Sequence, residues 1–210
     1  MEEINEGTNQ FFDIFIRTRQ TIRNIIETDA GKLVFPLAIV GGISDFLSRL
    51  SEKNLGDSWE LLYIIVFAIF GGPLLGIIGL FFKTALVGWT GKWIGGKGDS
   101  VQIQAAIAWS YAPNICILFA YIIAIFIFGK EVFQSETPRI DLSLALTIGY
   151  GFFGLVQLIF GIWSFVILVK CLSEVQGFSV WRATANVILP SIVVVAPILV
   201  IVFLVRVLLP

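Results

Sequence analysis

The chain has 210 residues, of which 57% are hydrophobic and 14% charged, with 14 basic against 15 acidic side chains and no histidine. A soluble domain carries about 25% charged residues, so this composition excludes an ordinary soluble fold and points to a membrane protein. The near-neutral charge, without a basic block, speaks against a nucleic-acid partner, and the lack of His removes the commonest transition-metal ligand and general base.

Residues 9–28 read as an amphipathic helix, with Phe12, Phe15, Ile22 and Ile26 near one face and Arg17, Arg19 and Arg23 at its boundary. Such a helix fits either the headgroup layer or the protein's own loops. No basic region precedes an apolar core at Met1-Glu2-Glu3, which speaks against a cleaved signal peptide. Five apolar stretches follow, at 33–50, 61–82, 105–128, 142–169 and 185–209. Crossing a bilayer takes about 20 residues per helix. The first is weakest, because Asp45 and Arg49 interrupt it. Asp57 and Glu60 give a cap-like start to the second, and Asp99 with Gln102 starts the third well before its apolar core. The fourth is longer than the hydrocarbon needs. The expected architecture is all-α: a polytopic membrane helix bundle of about five transmembrane helices plus an N-terminal amphipathic helix. Residues 1–32 form the N-terminal segment and 33–210 the five-span domain. No internal repeat is evident.

Basic residues set the orientation. Arg17, Arg19, Arg23, Lys32, Lys83, Lys92, Lys97, Lys170 and Arg182 fall on one side, against Arg49, Lys53, Lys130 and Arg139 on the other. The positive-inside rule then places the N-terminus in the cytoplasm and the C-terminus outside.

The loop after the second span holds the most information. Phe82, Leu86, Trp89 and Trp93 share a helical face, so the helix is expected to run past the membrane with its rings at the interface and to stop at Gly95-Gly96. Gly91, Gly96 and Lys97 match a phosphate-loop spacing, but Gly98 stands where magnesium binding needs Ser or Thr, and no strand precedes it. Contact of Lys92 and Lys97 with anionic lipid heads is the better functional reading, beside the plainer one of a tight turn with solvated lysines. Small residues mark helix contacts: Gly72, Gly76 and Gly79 in the second span, and Gly149, Gly154 and Gly161 in the fourth. They read as packing within the chain rather than as a dimer face. Pro73 is expected to kink the second span.

Polar groups inside the spans are few. Asp45 is the only acid there, with Arg49 one turn away as its default partner and Arg206 as a second candidate. Asn114 and Gln157 can bond across helices, as can Asn186 at the start of the fifth span. No relay of titratable groups is present. Cys116 and Cys171 read as packing residues. No catalytic residue set, metal site or cofactor motif is read.

Trp93-Ile-Gly-Gly-Lys-Gly-Asp-Ser-Val-Gln102 followed by Ala108-Trp-Ser-Tyr-Ala-Pro113 resembles the segment between the second and third spans of the Yip domain family. Glu174-Val-Gln-Gly-Phe-Ser-Val-Trp-Arg-Ala183, running into Leu189-Pro190, is similar to that family's loop between spans four and five. Order, spacing and the five-span plan agree over roughly residues 20–210. The resemblance places the family's characteristic positions at Gly95, Gly96, Lys97, Gly98, Pro113, Gly177, Phe178, Trp181 and Ala183. Eukaryotic members bind Rab-type GTPases through a long N-terminal region that this sequence does not contain. The chain resembles the short prokaryotic members, which implies the cytoplasmic membrane of a prokaryote.

Two functions are expected from these features. One is a non-enzymatic membrane scaffold or adaptor working through Trp89, Lys92, Trp93, the Gly95–Gly98 turn, Gly177, Phe178, Trp181 and Arg182. Its partners are the bilayer and a membrane protein, or a second copy. The alternative is a transporter or channel for a small solute, ion or lipid, using Asp45, Asn114 and Gln157.

Overall fold

The structure is a computed structural model, and it describes residues 10–208. Helix α1 covers residues 10–16. It is followed by α2 (Thr18–Asp29), α3 (Val34–Glu52), α4 (Leu61–Trp93), α5 (Ser100–Trp109), α6 (Asn114–Phe128), the short α7 (Pro138–Asp141), α8 (Leu144–Gln176) and α9 (Val180–Leu208). All described regular elements are helical. Five helical stretches are long and apolar enough to cross a membrane: α3, α4, α5 joined to α6, α8, and α9. The expected polytopic bundle is therefore the observed one.

The N-terminal helix differs from its expected form. Arg17 leaves helical geometry (φ −112°, ψ 43°) and separates α1 from α2. Phe15, Ile22 and Ile26 of the expected face still pack against the core on either side of the break. Ile14, Ile22 and Ile25 become the buried stripe, while Phe12 is 64% exposed and lies off it. That stripe faces protein: α2 packs on α8 and α5. Arg19 Nη2 donates to Ser173 Oγ at 3.0 Å, and Arg23 Nε donates to Glu174 Oε1 at 2.8 Å. The Glu174 carboxylate raises the Arg23 pKa, first through that hydrogen bond and then through its charge.

The third span is two helices. Pro113 has no N–H to give the Trp109 carbonyl, and its ring crowds the preceding turn. The chain passes the gap with tighter bonds, Asn114 N–H to Tyr111 O at 2.9 Å and Ile115 N–H to Ala112 O at 3.3 Å. Helix α4, by contrast, continues through Pro73. Its expected cap is absent: Glu60 stands at the N-cap without a side-chain bond. Asp57 instead accepts from the backbone N–H and hydroxyl of Ser135 at 3.1 and 2.7 Å. Those bonds hold its carboxyl below the usual range. At α5 the Asp99–Gln102 capping box is complete in both directions.

The apolar interior has two centres. One lies at the end of the bundle with α2 and the Gly95–Gly98 turn, around Ile22, Leu80, Ile103, Trp109 and Leu172. The other lies at the opposite end, around Leu47, Ile64, Tyr121, Phe133 and Phe153. Burial of such side chains is worth about 1.5–3 kcal/mol each against water, but within lipid close contact matters more. The α3–α4 seam supplies it. A Cβ on Gly42 would stand 2.6 Å from Gly76 Cα, and one on Gly72 would stand 2.6 Å from Ile43 Cα.

Candidate functional site

Helices α4 and α8 are each 33 residues long and end at the same end of the bundle in the same way. Gly95 (φ 84°) and Gly177 (φ 69°) occupy left-handed geometry that favours glycine. Gly96 N–H bonds back to Gly91 O at 2.9 Å, and Phe178 N–H to Ser173 O at 2.9 Å. Both are Schellman endings, in which a left-handed residue lets the next N–H reach a carbonyl five residues back. The two endings then bond to each other. Lys97 N–H donates to Gln176 O at 3.2 Å, and Gly98 N–H donates to Gln176 Oε1 at 3.3 Å. A Cβ on Gly96 would press on the Phe178 ring at 2.9 Å, and one on Gly98 on Val175 Cγ1 at 2.7 Å.

This clasp removes the phosphate-loop reading. The N–H groups of Gly95 and Gly96 serve Lys92 O and Gly91 O, and those of Lys97 and Gly98 serve Gln176. None is left to cradle an anion, which is what such a loop requires.

The sequence matches the model of the Yip1 domain over residues 12–202. The chain belongs to the Yip1 domain family. No curated protein and no solved structure matches it. The two stretches that carried the family resemblance are the two halves of the clasp. The Yip1 domain here is an integral membrane protein, since the matched region contains the span-length apolar helices.

Around the clasp, in which Gln176 and Phe178 are buried, stands an exposed rim. Trp181 is 85% exposed at the start of α9, with Arg182 beside it. Trp89 and Trp93 are exposed on α4, their ring centroids 4.7 Å apart and edge to face. Lys92 and Lys97 are exposed, Gly177 is exposed, and Phe178 is buried. Among the described residues the ion pairs are Arg23–Glu174 and Lys130–Glu60, so the rim cations have no carboxylate partner.

The polar residues of the spans converge at mid-bundle. Asp45 is held by Asn114, whose Nδ2 donates to Asp45 Oδ1 at 3.2 Å, and neither Arg49 nor Arg206 forms an ion pair with it. The Pro113 break explains the choice: it turns Asn114 inward at the start of α6, while Arg49 and Arg206 are exposed. Ser164 Oγ donates to Asn114 Oδ1 at 3.0 Å, and Tyr121 OH donates to Gln157 Oε1 at 3.0 Å. Asp45, Asn114, Gln157 and Ser164 line one cavity of about 280 Å³.

The glycines divide. Gly72 and Gly76 meet α3, and Gly149 lies 3.4 Å from the Phe128 ring by its would-be Cβ. Gly79, Gly154 and Gly161 meet nothing within 4 Å, so they are not seams; Gly161 lines the polar cavity instead.

Sequence reasoning missed Gln176, Tyr111, Tyr121 and Lys83. Gln176 is buried and supplies both acceptors of the clasp. A glutamine directly before a helix-ending glycine was its available signal. Asn186 is not the start of α9 but lies inside it, fully buried, accepting from Thr90 Oγ1 at 3.1 Å.

Proposed function

We propose that this Yip1 domain protein is a non-enzymatic scaffold or adaptor of the cytoplasmic membrane, which presents its clasped end to the cytoplasm and holds a membrane-protein partner or a second copy there. The observation that carries this reading is the exposed aromatic and basic rim, Trp181 with Arg182, Lys97, Lys92 and Trp89, mounted on a turn whose backbone N–H groups are all bonded. Exposed Trp and Arg are the side chains that dominate binding surfaces. A rigid mount lowers the ordering cost of association. Trp at this level also suits the headgroup layer, so the rim fits a partner that is itself in the membrane.

The test is native mass spectrometry after gentle extraction from the source membrane. The wild-type chain is expected to carry a partner or second copy at fixed stoichiometry. Trp181→Ala and Lys97→Glu are each expected to lower its occupancy about tenfold or more, as loss of a hot spot does, without changing the melting temperature. Unchanged occupancy in both variants refutes the reading.

A second reading, transport, has one specific support: Asp45, Asn114 and Gln157 share a cavity at mid-bundle. It predicts solute or ion flux in liposomes that changes in Asp45→Ala. Flux equal to that of empty liposomes removes it.

A further inference from the structure

Lys83 is the unusual cation of this molecule. It sits 22 residues after Leu61 on α4, about 33 Å along the helix at ~1.5 Å per residue. That is near the far border of a hydrocarbon core of about 30 Å. A lysine there ordinarily snorkels outward to water. Helical side chains lean toward the helix N-terminus, however, which for Lys83 is back toward the core. Its Nζ donates to Tyr111 OH at 2.7 Å, and it forms no ion pair among the described residues.

Two cavities meet at this pair. One, of about 330 Å³ between α3 and α4, is lined by Asp45, Arg49, Lys83 and Tyr111. Its charged wall is two cations against one carboxylate, which leaves it net positive. The other, of about 530 Å³, is an apolar groove lined by Phe82, Leu86, Val87, Pro190, Val194 and Val195, with Lys83 and Tyr111 at its edge. Both volumes lie in the usual range of ligand sites, about 300–1,000 Å³. An ammonium at this depth is costly without an anion, and the groove beside it is built for hydrocarbon.

We propose that this junction binds an anionic glycerophospholipid, with its phosphate on Lys83 and the Tyr111 hydroxyl and one acyl chain between α4 and α9. Charge complementarity selects the head, and the apolar groove at bilayer depth selects a lipid over a free anion. The site uses no rim residue. Lys83 lies nine residues before Lys92 on the same helix, about 14 Å deeper, so the site stands or falls apart from the scaffold reading.

The experiment reconstitutes the full chain in phosphatidylcholine liposomes containing a phosphatidylglycerol probe with a photoreactive acyl chain, and maps adducts by peptide mass spectrometry. Adducts are expected on residues 82–87 and 187–195. They should fall about tenfold in Lys83→Met, as loss of a charge-assisted bond implies, and persist in Lys83→Arg. Val194→Trp, which fills the groove from an exposed position, is expected to abolish them, and Trp181→Ala to leave them unchanged. Equal labelling by a phosphatidylcholine probe, adducts spread evenly over exposed faces, or no loss in Lys83→Met overturns the proposal.

Discussion

Helices α4 and α8 have the same length and the same kind of ending, yet they use their glycines differently. On α4, Gly72 and Gly76 press against α3 because α3 offers Gly42 and Ala38 in return. On α8, Gly154 and Gly161 face no close neighbour, and Gly161 borders the polar cavity. Small residues at a four-residue spacing therefore mark a seam only when the facing helix is small at the same level. Gly154 and Gly161 border open space instead, which at Gly161 is polar.

Four alanine substitutions test this contrast by thermal unfolding in detergent. Gly42→Ala should be the most damaging, at about 3 kcal/mol, because the new Cβ meets α4 backbone that cannot rotate away. Gly96→Ala should cost about 2 kcal/mol, since Gln176 and Phe178 are side chains that can partly yield. Gly177→Ala has open space around it and should cost about 1 kcal/mol, from the left-handed backbone alone. Gly161→Ala should cost nothing or stabilise by up to about 1 kcal/mol, since it replaces an unpacked helical glycine. Equal losses at Gly42 and Gly161 would show that α8 packs its glycines as tightly as the seam between α3 and α4 does.

The sequence announced the spans well. Long apolar runs leave few alternatives, and the glycines at 95 and 177 stop α4 and α8 for a local, steric reason. What it could not announce was pairing. Asp45 had a partner one turn away in Arg49, and the structure chose Asn114 from a helix 69 positions distant. That choice depends on where the Pro113 break aims α6, which no local spacing encodes. The amphipathic helix held in three of its four apolar residues, Phe15, Ile22 and Ile26, while the break at Arg17 and the exposed Phe12 were not legible in its spacing. The rim residues were legible because Trp, Lys and Gly sit together in the chain. The glutamine that locks their mount was not, because its role appears only when two turns far apart in sequence meet.

The clasp has a mechanical consequence. Sliding α4 along its axis by a single residue rise, about 1.5 Å, would break both bonds that Lys97 and Gly98 make to Gln176. The two longest helices are thus geared together at one end and advance or tilt as one lever. Of the two, α8 carries Gln157, Gly161 and Ser164 along the polar cavity, so a displacement of the clasp is passed down that helix to the cavity wall.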